Sequence, residues 1–126
     1  VIRFSYLSQF QPPAPFVYVT LRNPVTGAEQ RNVPAQLDCA ADRTLLPESI
    51  AQTLALQPIG MVSIGGVGGT VQSMPSYAVE LGIQSLASVT VEVVASPGET
   101  WVLLGRDVLN RYRVILDGPQ LSLEIG

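Results

Sequence analysis

Proline and glycine punctuate this chain so densely that what lies between them decides the fold. Ten prolines and eleven glycines cut the 126 residues into short pieces, many rich in Val, Ile, Leu and Thr. Short β-branched segments bounded by turn residues suit an all-β domain better than a helical one. Residues 1–7 alternate apolar and polar positions as a strand does, and Gln11-Pro12-Pro13-Ala14-Pro15 is a rigid connector that cannot join a central strand. Residues 16–22 read as a strand, Asn23-Pro24-Val25-Thr26-Gly27 as a hairpin turn, and residues 33–37 as a second strand delivering the chain to Asp38.

The best helix pattern runs over residues 46–56, with Pro47 in the first turn and Ile50, Ala51 and Leu54 on one face. Strands near 59–64 and 70–83 flank the glycine cluster Gly65-Gly66-Val67-Gly68-Gly69, and residues 87–95 alternate around Val89, Val91 and Val93. After Pro97-Gly98, the continuous apolar run Trp101-Val102-Leu103-Leu104 predicts a strand buried on both faces. A short helix over 106–111 and a closing hairpin, 114–116 with 121–125 about Asp117-Gly118-Pro119, complete the pattern. No internal repeat or linker divides the chain, so residues 1–126 read as one domain.

Composition excludes several kinds of chemistry. Hydrophobic residues make up 47% of the chain and charged ones 13%, enough apolar material to fold around one core. Such a low charge content also leaves apolar surface for self-association. The seven basic residues are all arginines, they form no basic run, and the net charge is −3, which argues against nucleic acid as a partner. No apolar stretch is long enough for a membrane-spanning helix, and no signal peptide is visible. A single cysteine, Cys39, rules out an internal disulfide and fits a reducing compartment such as the cytoplasm. The absence of histidine removes Ser-His-Asp and Cys-His catalysis and His-based zinc sites, leaving carboxylates, hydroxyls and backbone groups to do any chemistry.

Three segments carry the functional signal together. In Leu37-Asp38-Cys39-Ala40-Ala41-Asp42-Arg43-Thr44, a carboxylate stands where an apolar strand ends, and the small residues after it let another chain approach the backbone. The glycine cluster at 65–69 tips a long hairpin. The run Trp101-Val102-Leu103-Leu104-Gly105-Arg106-Asp107 carries an apolar strand through glycine into a helix. In this order and spacing, over residues 16–125, the three resemble the catalytic loop, flap and closing strand-helix of a retropepsin-like aspartic protease. The likeness is nearest to bacterial members, whose loop runs Asp-Thr-Gly-Ala-Asp-Arg-Thr into a Leu-Pro-Glu helix.

That resemblance implies a closed-barrel subunit with one or two short helices and a glycine-tipped flap. It further implies a homodimeric aspartic endopeptidase without metal or cofactor, in which Asp38 of each copy forms a catalytic dyad acting on a peptide substrate. By position, Ala40, Ala41 and Asp42, with Gly65, Gly66, Val67, Gly68 and Gly69 of the flap, would contact substrate. Cys39 and Arg106 would support the active site and dimer, Arg106 by pairing with Asp42. The terminal strands, residues 1–7 and 121–125, are candidates for an intersubunit sheet.

The motif departs from the family at two residues. Asp-Thr-Gly or Asp-Ser-Gly is the rule, and here the chain reads Asp38-Cys39-Ala40. A thiol is a weaker donor than the hydroxyl that locks the paired loops across the dimer axis, at a cost on the order of 1 kcal/mol for each lost bond. Ala40 adds a methyl group where glycine leaves room, and a misplacement of about 1 Å there costs roughly 100-fold in rate. The alternative reading is therefore a catalytically impaired dimer serving as a peptide-binding or assembly module, and a third is a structural β-domain without a peptide site.

Taken singly, each residue has a plainer reading. Asp38 would be a turn residue, Asp42 and Asp107 helix caps or solvated charges, and Arg106 a surface charge. For Asp107 the plainer reading is retained. The glycine cluster lacks the endings of phosphate-binding loops, Cys39 lacks a histidine to activate it, and Trp101 reads as core or subpocket lining.

Overall fold

The computed structural model describes residues 1–66 and 68–126. Its ten strands are β1 (Ile2–Ser5), β2 (Phe16–Arg22), β3 (Glu29–Leu37), β4 (Leu45–Pro47), β5 (Gly60–Gly65), β6 (Val71–Gly82), β7 (Val89–Ser96), β8 (Val102–Leu104), β9 (Val114–Asp117) and β10 (Ser122–Ile125). Two short helices interrupt them, α1 (Glu48–Thr53) and α2 (Arg106–Leu109). The larger sheet runs β2-β3-β8-β4-β7-β6-β5, and a further pairing of β2 with β6 closes six of its strands into a barrel. Strand β5 stays outside that closure, bonded only to β6 in the sheet, and the two project as a long hairpin. A separate three-stranded sheet, β1-β10-β9, joins the chain's two ends.

Alternation along the strands fills the barrel. Val17, Val19 and Leu21 of β2 point inward beside Val79 and Leu81 of β6 and Val91 and Val93 of β7, all in one buried cluster. Phe4, Leu123 and Ile125 of the terminal sheet belong to the same cluster. Asn23 fixes one corner of the barrel: its Oδ1 accepts from the Val25 N–H at 2.9 Å, and its Nδ2 donates to the Leu54 carbonyl at 3.0 Å. The β2–β3 turn is thereby tied to the end of α1, and Gly27 completes it with φ +79.

Three sequence expectations change. The helix expected over 46–56 begins later, because Leu45–Pro47 pairs with β7 as β4 and only then turns into α1. Ile50, Ala51 and Leu54 do share its buried face. The expected helix over 106–111 shortens to α2. In β8, Val102 and Leu104 are buried and Leu103 is half-buried, so the apolar run is not covered equally on both faces. The terminal strands pair with each other inside the chain, Ile2 opposite Ile125 and Phe4 opposite Leu123.

Candidate active site

Asp38 sits at the C-terminal end of β3, where two strands diverge. Strand β8 lies between β3 and β4, parallel to the first and antiparallel to the second, so the chain must cross the end of β8 on its way from β3 to β4. Residues 38–44 make that crossing. The Asp38 N–H donates to the Leu104 carbonyl at 3.0 Å and extends the β3–β8 ladder by one bond. The half-buried Asp38 carboxylate accepts from the Ala40 N–H at 3.2 Å, and its carbonyl accepts from the Ala41 N–H at 3.1 Å, which folds residues 38–41 into a tight turn.

Arg106 holds this turn from below at three points. Its N–H donates to the Ala41 carbonyl at 2.9 Å, its Nη1 to the Cys39 carbonyl at 2.9 Å, and its Nη2 pairs with the Asp42 carboxylate. Both charged groups are largely exposed, so the ion pair is screened by solvent; its geometry matters here more than its energy. Cys39 and Ala40 are exposed at the crest of the turn, and the Cys39 thiol is free.

A buried polar knot lies beneath. The Asp107 carboxylate accepts from the Thr44 N–H at 3.0 Å and from the Thr44 hydroxyl at 2.7 Å, and the Thr44 oxygen in turn accepts from the Gly105 N–H at 3.1 Å. Thr44 is fully buried. Asp107 also accepts from the Val108 N–H at 2.9 Å, so it does serve helix α2, as the plainer reading held, but it also pins the far end of the Asp38 loop. The sequence offered only a faint sign of this, a carboxylate adjoining Arg106 and a threonine two residues beyond Asp42. Gly105 passes so close under the loop that a Cβ there would lie 2.6 Å from the Arg43 carbonyl carbon.

The hairpin of β5 and β6 faces this loop. Ala40, Ala41, Asp42 and Arg43 on one side, with Ser63, Ile64 and Gly65 on the other, enclose a cleft of about 340 Å³. A larger hollow of about 610 Å³ lies between α1 and the β6 arm of the hairpin, and contains none of the loop residues. The smaller cleft is the one the Asp38 turn borders, with residues 40–43 in its wall and Asp38 just behind them. At the hairpin tip the Gly66 N–H donates to the Thr70 carbonyl at 2.8 Å, and Gly68 and Gly69 take φ of +86 and +78. A side chain at Gly65, Gly68 or Gly69 would meet open space, so at 68 and 69 the backbone conformation alone calls for glycine. Val67 lies outside the described residues.

The structure thus brings Asp38, Cys39, Ala40, Ala41, Asp42 and Arg106 into one cinched turn, and sets Gly65 across a cleft from it. Just before β8, Trp101 donates from Nε1 to Gln36 Oε1 at 2.9 Å and packs edge-on against Phe10 and Phe16. Among the described residues no group of three or more Cys, Asp or Glu side chains could hold a metal ion, and no helix is long and apolar enough to cross a membrane.

The model of the "gag-polyprotein putative aspartyl protease" family matches residues 26–111, which is more than half of the chain and includes the loop, the hairpin and Arg106. No curated protein matches in sequence. Among solved structures, the chain is similar to a retropepsin-like aspartic protease from Rickettsia conorii, with TM-score 0.67 and 12% identity, covering 97% of this chain and 86% of that one. It is also similar to the simian foamy virus protease (TM-score 0.55, 22% identity, 76% of this chain and 92% of that one). A third likeness is to the EIAV protease, solved with the inhibitor HBY-793 (TM-score 0.57, 21% identity, 78% and 86%). At these identities the likenesses establish the retropepsin-like fold.

Proposed function

The chain belongs to the retropepsin-like aspartic proteases, and from that membership we propose that it is an aspartic endopeptidase working as a homodimer, with residues 1–126 as one protease domain. The observation that carries this reading is the Asp38 turn itself: a half-buried carboxylate at the end of β3, on a turn that Arg106 clamps and whose following residues, 40–43, border the cleft under the hairpin. One chain supplies one such carboxylate, so a second copy must bring the other Asp38. Two carboxylates in near contact share a proton, because both cannot ionise comfortably. The charged member takes a proton from a water, which attacks the scissile carbonyl carbon. The protonated member gives its proton to that carbonyl oxygen; as the C–N bond breaks, the proton taken from water goes to the leaving nitrogen and a hydroxyl of the diol returns one proton to the dyad. The chemistry uses neither metal nor cofactor.

The peptide would lie in the cleft as an added strand, with Ala40, Ala41 and Asp42 as its floor and Gly65, Gly66, Gly68 and Gly69 closing over it. Cys39 and Arg106 would hold the two loops in register. The terminal sheet supports the dimer as contact surface: β1 and β9 are its unpaired edges, and Ile115, Leu116 and Leu121 expose apolar side chains there.

Cleavage of an unstructured protein from pH 3 to 7 tests the proposal. The wild-type chain should cut and Asp38→Asn should not; cleavage that survives Asp38→Asn defeats it. The rival reading, a peptide-binding module with impaired catalysis, is motivated by Cys39 and Ala40. It gains if a confirmed dimer is inert and Cys39→Thr/Ala40→Gly restores cutting.

A further inference from the structure

Strand β7 separates the two walls of the cleft. Val94 pairs on one side with Leu45, just past the Asp38 loop, and on the other with Ser76, at the root of the hairpin. Two residues earlier, Glu92 reaches both ways with its two carboxylate oxygens. Oε1 accepts from Arg43 Nη1 at 3.3 Å, on the loop that floors the cleft. Oε2 accepts from the Ser76 hydroxyl at 2.6 Å. Arg43 Nη1 also lies 3.5 Å from the Glu92 carbonyl oxygen, a long contact that keeps the guanidinium along β7. Ser76 is fully buried, and its partner residue across the hairpin is Gly60. A Cβ at Gly60 would lie 3.3 Å from the Ser76 oxygen and 3.7 Å from Glu92 Oε2, so glycine leaves the junction its room.

We propose that Glu92 is a positioning residue that sets the hairpin root against the Asp38 loop, and so fixes the width of the cleft in which, on the reading above, a peptide binds. The Arg43–Glu92 pair is more than one-third exposed on each side, too open to matter much for stability. Its significance is geometric. The short bond to a buried hydroxyl holds the carboxylate in one orientation, and that orientation places the Arg43 guanidinium. Among the described residues no other side chain joins these two elements through hydrogen bonds to both.

Two measurements on the full chain test this. The first is the Kd of a peptide mimic carrying a central hydroxyl, for wild type, Glu92→Gln, Glu92→Ala, Ser76→Ala and Glu92→Ala/Ser76→Ala. Glu92→Ala and Ser76→Ala should each weaken binding about 10-fold. The double variant should be no worse than Glu92→Ala alone, and Glu92→Gln, which keeps an acceptor for Ser76, should recover part of the loss. The second is amide hydrogen exchange, which needs no ligand. Glu92→Ala should speed exchange both in residues 39–43 and in residues 60–66. A lowered Tm with wild-type Kd, or faster exchange confined to β7, overturns the proposal. If the wild-type chain does not bind the mimic, the peptide-site reading fails, and the exchange data still decide whether Glu92 links loop and hairpin.

Discussion

Gly105 has no left-handed backbone to excuse it, and its glycine is instead a matter of space. The Arg43 backbone crosses so close above it that Gly105→Ala must push loop and strand apart, moving the turn that carries Asp38. We expect a loss of about 3 kcal/mol, read as a lowered urea midpoint at unchanged m-value. Thr44 and Asp107 supply the next constraint. Asp107→Ala would leave a fully buried threonine hydroxyl and an N–H without their acceptor, at a cost of about 2 kcal/mol. Asp107→Asn keeps one acceptor oxygen and should lose less in the same denaturation experiment. Tyr112 offers a pH-dependent check. Burial raises its phenol above the ordinary value, the nearby Arg111 pulling it back only in part, while its hydroxyl donates to the Ala87 carbonyl at 2.7 Å. A raised pKa in the folded chain means its contribution is fully present below about pH 10 and fades as pH climbs through the folded value. Tyr112→Phe should therefore lose stability below pH 10 and show a shallower alkaline decline in thermal melts across pH 8–11.

At the scale of elements, the strands were readable because their apolar alternation and their turn residues agree. Residues 16–22 could be assigned by pattern alone, and Asn23 with Gly27 marked the turn after them. The stretch 46–56 was not, because Leu45–Pro47 carries the same apolar residues a helix start would. Only its pairing with β7, fixed by partners some fifty residues away, makes it a strand. The same distance hid Glu92 and Ser76, since nothing local announces which residues of β6 and β7 stand side by side. The Asp38 loop was legible because its parts are contiguous; the knot beneath it was not, because Asp107 reads equally well as an ordinary first-turn acid. The β2–β3 turn yields a prediction at this scale. Asn23→Ala removes both the turn's own acceptor and the link to α1, so α1 amides should exchange faster while the terminal sheet stays protected.

For the whole molecule, the homodimer proposal rests on the terminal sheet and the single Asp38 turn together. On the homodimer proposal Leu116, about half exposed on the edge strand β9, belongs to the contact surface, and Leu116→Arg should then yield a folded monomer by sedimentation, with cleavage lost although every site residue is intact. If the dimer axis brings the two exposed Cys39 thiols together, mild oxidant should give a reducible dimer band on a non-reducing gel; a band that stays monomeric removes that expectation. The crossing of residues 38–44 over β8 bears on the order of events during synthesis. Strands β3 and β4 are made first, yet the strand that must lie between them, together with the Arg106 and Asp107 that fasten the loop, comes roughly sixty residues later. A growing chain that has reached Gly98 carries Asp38 and the bonds within its turn, but lacks the β8 strand, Arg106 and Asp107 that fasten the loop from outside. On the protease reading, a chain caught at that length would have its carboxylate but not its site.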